Sequence, residues 1–188
     1  MILQEIADES QIPIWSAAID VKKAFDSVSQ EALWPALADQ GSADTYICLL
    51  SKLYADQTAA VKIDCTSKFF NIDRGVKQGD PLSSLLFNCV SESLMRKLKV
   101  QWRSKRCGIQ LQPHPDDTLY NLRFADDILL LSTTLPSIKN MIEDLSNEAR
   151  KLGLELHPDK TKILTNLSKR RGRDARTSID VDLSLIHI

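Results

Sequence analysis

Two hydrophobic periods alternate along this chain. Ile2, Leu3 and Ile6 have helical spacing, and Pro13 ends that pattern. The apolar run from Ile14 to Val21 predicts a strand with Asp20 near its end. Ser29 is placed to cap a helix reaching Asp39, with Gly41 just beyond it. A second helix over 43–55 carries Tyr46, Ile47, Leu50, Leu53 and Tyr54 on its apolar side. The period then becomes two, and 59–65 and 68–72 predict a hairpin turning at Thr66-Ser67. Asp80 before Pro81 marks a helix start, an N-cap acid followed by proline at the first helical position. That helix runs to about Val100, with Leu82, Leu85, Leu86, Cys89, Val90, Leu94 and Leu98 toward the core. Residues 113–117 read as a loop. Residues 119–123 and 128–131 are apolar runs joined through Phe124-Ala125-Asp126-Asp127, a hairpin with acids at its tip. A helix over 135–152 turns Ile138, Met141, Ile142, Leu145, Ala149 and Leu152 inward, and Gly153 closes it. Short strands at 154–156 and 162–164 flank His157-Pro158-Asp159-Lys160. The order β-αα-ββ-α-ββ-α-ββ predicts an α+β fold, an antiparallel sheet with helices packed on one face.

Composition narrows the class. The 188 residues, 43% hydrophobic and 26% charged, suit one globular domain or part of a larger one. No apolar run approaches the ~20 residues that span a membrane, and no basic-then-apolar signal opens the chain. An intracellular protein with no membrane partner is expected. Cys48, Cys65, Cys89 and Cys107 form no Cys-x-x-Cys pair, and His114, His157 and His187 are scattered, which is not zinc-site spacing. Buried, reduced thiols are expected. A net charge of −1 is not that of a basic nucleic-acid-binding domain. Basic residues do cluster locally, at Arg96, Lys97, Lys99, Arg103, Lys105 and Arg106, and again at Lys169, Arg170, Arg171, Arg173 and Arg176. Each cluster reads equally as a solvated face or as phosphate contacts.

Taken alone, Asp126-Asp127 reads as a solvated turn. Two further stretches change its weight, Ile19-Asp20-Val21-Lys22-Lys23-Ala24-Phe25-Asp26 and Arg74-Gly75-Val76-Lys77-Gln78-Gly79-Asp80-Pro81-Leu82-Ser83. A fold joining the end of the Asp20 strand to the Asp126 turn gathers three carboxylates. Such a cluster repels itself unless divalent cations neutralise it.

These stretches resemble the palm of a reverse transcriptase of the non-LTR (LINE-type) retrotransposon family. Residues 18–26 resemble its first catalytic motif, 74–88 its Gly-x-x-Gln-Gly-x-Pro-x-Ser motif, and 124–127 its Phe/Tyr-Ala-Asp-Asp box. Residues 153–162 resemble the Gly-Leu…Lys-Thr-Lys motif that follows. The four occur in the family's order over about 14–166. The resemblance implies an RNA-directed DNA polymerase that adds dNTPs to the 3′-hydroxyl of a DNA primer on an RNA template. It implies two Mg2+ ions, with Mn2+ as the alternative, bridged by Asp20 and Asp126 and completed by the Val21 carbonyl. Asp127 is then a weaker ligand or a support for the turn. Phe25 either packs under the sugar and excludes a 2′-hydroxyl or is a core aromatic. Viral RNA polymerases carry an acid at the Phe25 offset and Gly-Asp-Asp in place of Phe-Ala-Asp-Asp, so Phe25 and Phe124 favour dNTPs. Gln78 and Gly79, before a helix N-terminus, are expected at the incoming nucleotide. Arg74 and Lys77 read as phosphate or template contacts or as solvated residues. Lys160 is either a proton donor to pyrophosphate or a surface lysine.

The family's fingers and thumb are largely absent, which leaves apolar surface where they pack and makes both expected partners. The expected division is a partial palm over 1–168 and a basic, then irregular, tail over 169–188. The tail's last residues, 182–188, fit neither periodicity nor family and read as a non-native end, as does Met1. A nuclear location and weak or no activity of the isolated chain follow from the same resemblance. A non-enzymatic nucleic-acid-binding remnant and a group II intron maturase-like protein are the competing readings.

Overall fold

The strand expected from Ile14 to Val21 is broken at Asp20. In the computed structural model, which describes residues 12–64, 66–111 and 117–166, the segments on either side of Asp20 pair with different partners. In chain order the elements are β1 (Trp15–Ile19), β2 (Val21–Lys22), α1 (Ala24–Ser27), α2 (Gln30–Asp39), α3 (Asp44–Tyr54), β3 (Thr58–Ala59), β4 (Phe70–Asn71) and α4 (Pro81–Ser104). They continue with β5 (Ile109–Gln110), β6 (Thr118–Leu119), β7 (Asn121–Phe124), β8 (Asp127–Ser132), α5 (Leu135–Lys151), β9 (Glu155–Leu156), a 3-10 turn (Pro158–Lys160) and β10 (Lys162–Thr165). The helix expected before Pro13 and the tail beyond 168 lie outside the described residues. No described helix is long and apolar enough to cross a membrane.

Two compact units result. One comprises Met1–Lys22, Arg96–Lys151 and Glu155–Ile188, the other Lys23–Met95 and Leu152–Leu154. The first is built on an antiparallel sheet in the order β10-β1-β8-β7. Its register sets Ala17 opposite both Leu130 and Ile163. Side chains alternate along a strand, so Ala17, Ile19, Ile128, Leu130 and Ile163 share one face, and all are buried. α5 lies against β1 and β8 and buries Ile138, Met141, Ile142, Leu145 and Ala149, as its period required. The opposite face is more open: Leu122 and Leu164 are 44% and 46% exposed. Near one end of that face Leu131 packs with Ile14 and Ile109.

In the second unit α2 packs on α3, with the Trp34 and Tyr54 rings edge to face at 5.8 Å. Ser29 stands at the N-cap of α2, but its hydroxyl makes no capping bond; its backbone N–H donates to Leu152 O at 2.8 Å. Asp80 does cap α4 as expected, its carboxylate accepting the Leu82 N–H at 2.9 Å.

Three expectations need correction. The hairpin pairs only Thr58 with Asn71 and Ala59 with Phe70, and a bridge between Lys62 and Thr66 moves its turn ahead of Thr66-Ser67. On α3, Tyr46 and Leu53 are 67% and 57% exposed, because the apolar stripe is wider than the single helix packed on it. On α4, Leu85 is exposed while Phe87 and Met95 are buried. The buried arc is therefore rotated away from Leu85, and hydrophobicity alone cannot orient a helix that is apolar on most of its circumference. The thiols divide too: Cys107 is buried, Cys89 half-buried and Cys48 exposed, against the expectation of uniform burial. Burial pushes the Cys89 and Cys107 thiols above their ordinary pKa and keeps them protonated.

Candidate active site

The first unit gathers Asp20, Val21, Asp126, Asp127 and Lys160 at one end of its sheet. β7 and β8 pair from Asn121–Leu130 to Phe124–Asp127, so Ala125 and Asp126 form a two-residue turn. Ala125 takes φ 55°, and Asp126 is not in the positive-φ region, the pattern of a turn that fits the twist of a hairpin. The β1–β8 register ends with Ile19 opposite Ile128. That pairing stops one residue short of both Asp20 and Asp127, and Asp126 is the second residue of the turn. Val21 follows as the first residue of β2, paired with Leu156.

The segment after β9 folds back onto Asp20. The His157 N–H donates to the Asp20 carbonyl at 2.8 Å, and the turn at Pro158 brings Lys160 Nζ to 3.0 Å from Asp20 Oδ2. Lys22 and Glu155 pair beside it at 2.9 Å. Lys160 therefore meets an acid of the site through a contact that no spacing rule foretold. Sequence reasoning missed His157 as an anchor. The only signal was its position next to a proline ahead of Lys160.

The second unit holds Phe25, Arg74, Gln78 and Gly79. Phe25 is half-buried, with its ring stacked on Phe87 at 5.1 Å. The loop before α4 is bonded to the turn after Phe25: Val76 N–H donates to Phe25 O at 2.7 Å and Gly75 N–H to Val28 O at 2.8 Å. Gln78 Nε2 donates to Asp26 Oδ1 at 3.0 Å. Asp26, Arg74, Gly75, Lys77 and Gln78 line a cavity of about 680 Å3 together with Gln57 and neighbouring residues. Gly79, expected to let the backbone approach an incoming nucleotide, has φ +85° and nothing within 4 Å of where a Cβ would stand, whereas a Cβ on Gly75 would meet Asp26 O at 2.8 Å. Gly75 is thus the glycine of this loop that packs closely against the protein's own backbone. Asp26 as the partner of Gln78 was also missed, although it sits inside a quoted stretch.

Comparison with known proteins agrees with this arrangement. The family model for "Reverse transcriptase (RNA-dependent DNA polymerase)" matches residues 3–180. The chain belongs to the reverse transcriptase family. It is 30% identical over 152 residues to the "Retrovirus-related Pol polyprotein from type-1 retrotransposable element R2" of Nasonia vitripennis, covering 80% of this chain and 14% of that protein. It is 31% identical over 146 residues to the type-2 element R2DM polyprotein of Drosophila melanogaster, covering 77% and 13%. These relatives assign it to the non-LTR retrotransposon branch. The chain spans less than a quarter of the length of either. Among solved structures, telomerase from Candida tropicalis with a fragment of telomeric RNA superposes with a TM-score of 0.65 at 19% identity, over 87% of this chain and 28% of that one. The α+β palm expected from the sequence is thus the fold found.

Reverse transcriptases as a family use divalent metal ions. Among the described residues no ready-made group of three or more acidic, histidine or cysteine side chains is assembled. The donor set nevertheless fits a hard cation. Mg2+ binds through one or two carboxylates, keeps several waters and takes the rest of its shell from substrate phosphates. Asp20, Asp126 and Asp127 are the carboxylates near this end of the sheet that would supply such oxygens. The Lys160 ammonium holds the same carboxylate that a cation would need. An exposed pair of this kind contributes up to about 1 kcal/mol. Lys160→Ala is expected to raise the affinity of the chain for Mn2+ by up to about fivefold, read from the electron paramagnetic resonance of free Mn2+. Unchanged affinity would remove Lys160 from competition with the ion.

Proposed function

We propose that this chain is the catalytic core of an RNA-directed DNA polymerase, which joins dNTPs to a DNA primer on an RNA template during retrotransposition. The observation that supports the reading is the β1–β8 register, whose last pair, Ile19 with Ile128, precedes Asp20 on one strand and follows the Asp126-Asp127 turn on the other. In this reading Asp20, Asp126, the Val21 carbonyl and, more weakly, Asp127 hold two Mg2+ ions. When bound, the ions acidify the primer hydroxyl and stabilise the leaving pyrophosphate. Lys160, which pairs with Asp20, would meet the triphosphate once that carboxylate was taken up by a cation and would give a proton to the leaving pyrophosphate. Arg74 and Lys77 meet phosphates beside the Gln78 amide, and Gly79 leaves room for the nucleotide. Fingers and thumb come from the rest of the parent polyprotein, and the work is done in the nucleus, where a genomic DNA primer is at hand.

The test is primer extension on an RNA template with dNTPs and Mg2+. The chain is assayed alone and in place of the corresponding segment of the Nasonia vitripennis relative. Extension by the chimera, and its loss in Asp126→Asn, supports the proposal. A chimera that binds RNA in a salt-dependent way but extends nothing marks a non-enzymatic remnant instead. In the active form, Phe25→Ala is expected to reduce the preference for dNTPs over rNTPs by about 10- to 100-fold, the range a pocket's shape can contribute. Competition between dTTP and UTP reads it. An unchanged ratio would make Phe25 a core aromatic only, held by Phe87.

A further inference from the structure

The chemistry above leaves the first basic cluster unused. Between Ser93 and Pro115 the sequence has six Lys and Arg and no Asp or Glu. Helical spacing puts Arg96, Lys99 and Arg103 on one stripe of α4, at i, i+3 and i+7, with Arg96 and Arg103 exposed. At 1.5 Å per residue the stripe is about 10 Å long, close to three nucleotide steps of ~3.4 Å. It ends at a cavity of about 490 Å3 in the same unit, lined by Arg103, Arg106, Gln110, Thr118, Tyr120 and neighbouring residues. No acidic side chain is among those lining it. The nearby Asp144 is engaged by Lys105, at 2.8 and 2.7 Å. Thr133, on the cavity wall, lies six residues along from Asp127. At about 3.3 Å per residue the cavity is about 20 Å from the catalytic acids.

The end of α4 supplies an independent sign. Cys107 N–H donates to Trp102 O at 2.9 Å and Arg106 N–H to Arg103 O at 3.1 Å, which is the helix stop that normally carries glycine in the left-handed conformation. Here that residue is Arg106, at φ 54°. Cations in a last helical turn suit the helix dipole, which explains Arg103 and Lys105 without any ligand. It does not explain a strained arginine on a cavity wall where glycine would relax the backbone.

We propose that this cavity, with the Arg96-Lys99-Arg103 stripe leading into it, is a second nucleic-acid site that holds the phosphodiester backbone of a strand away from the catalytic acids. Guanidinium groups match phosphate oxygens in pairs, and Gln110 and Thr118 offer hydrogen bonds to the same oxygens. The site is separate from the polymerase proposal and does not require catalysis.

The experiment titrates the full 188-residue chain against fluorescent oligo-U RNA and oligo-dT DNA across a salt series. Arg103→Gln/Arg106→Gly should bind about tenfold more weakly, and the slope of log K against log salt should fall by about 1.4, near 0.7 for each lost contact to a single strand. Arg106→Gly alone should lose affinity while its melting temperature holds or rises, which a merely structural arginine would not do. Lys139→Gln, an exposed lysine of α5 outside both the stripe and the cavity, should bind as the unsubstituted chain does. Unchanged affinity and slope in the double variant would overturn the proposal, as would loss of affinity in step with loss of thermal stability in Arg106→Gly. Competition by inorganic phosphate as effective as by oligonucleotide would mark a small-anion site instead. A preference for RNA beyond about tenfold would overturn recognition by backbone alone.

Discussion

Asp126→Asn and Asp20→Asn are each expected to lower RNA-templated primer extension by at least about 1,000-fold, equivalent to about 4 kcal/mol of transition-state stabilisation. The magnitude follows from what a carboxylate does at this position. It draws a hard cation to the end of β1 and the tip of the β7–β8 turn, and the amide of asparagine has neither the charge nor the second strong oxygen. Replacing Asp126 removes a negative charge next to Asp127, and replacing Asp20 gives up its exposed ion pair with Lys160, a contact of up to about 1 kcal/mol. Thermal melts of both variants accompany the assay, and a stability change of no more than about 1 kcal/mol is expected, too little to account for the lost activity by unfolding. If extension by the isolated chain lies below detection, Mn2+ affinity measured by magnetic resonance carries the same test. Each substitution should weaken it about tenfold or more. An Asp20→Asn chain that keeps both its Mn2+ affinity and its extension rate would end the two-ion reading.

Gly75→Ala is expected to destabilise the second unit by about 2–5 kcal/mol. One part is the left-handed backbone at φ +84°, where an L residue costs about 1–2 kcal/mol. The other is steric. The new Cβ would sit 2.8 Å from Asp26 O and 2.9 Å from Phe25 O, both backbone atoms that cannot rotate away. Overpacking of that kind adds about 1–3 kcal/mol. Gly79→Ala is the control, since Gly79 has nearly the same φ, +85°, but nothing within 4 Å. It should lose only the backbone part. Thermal melts of the two variants, with hydrogen exchange at the Gly75 and Val76 amides, give the comparison. Equal losses would mean that the contact with Phe25 and Asp26 relaxes freely, and that the loop does not hold Phe25 in place.

Much of this protein was legible from residue order because the decisive signals are local. The Asp80-Pro81 helix start, the α5 stripe from Ile138 to Ala149 and the apolar-acid-apolar turn each need only a few neighbouring side chains to define them. The same locality explains the errors. Leu85, Tyr46 and Leu53 are apolar enough to be core, and only the presence or absence of a neighbour decides that they are not. That Gly75 packs against backbone and Gly79 does not depends on α1 passing behind the loop, and α1 lies about fifty residues earlier in the chain.

By itself, then, the order of amino acids determined the α+β class, the order of the main helices and strands and the family resemblance, because these rest on periodicity and short motifs. Tertiary structure alone decided that Asp20 lies at a break between two sheets, one residue past the Ile19–Ile128 pair, and that Lys160 reaches it from a segment 140 residues away. It also decided that Arg106 lines a cavity at the far end of the sheet. Register and long-range return of the chain are set by burial summed over whole strands and helices, and no window of neighbouring residues contains that sum.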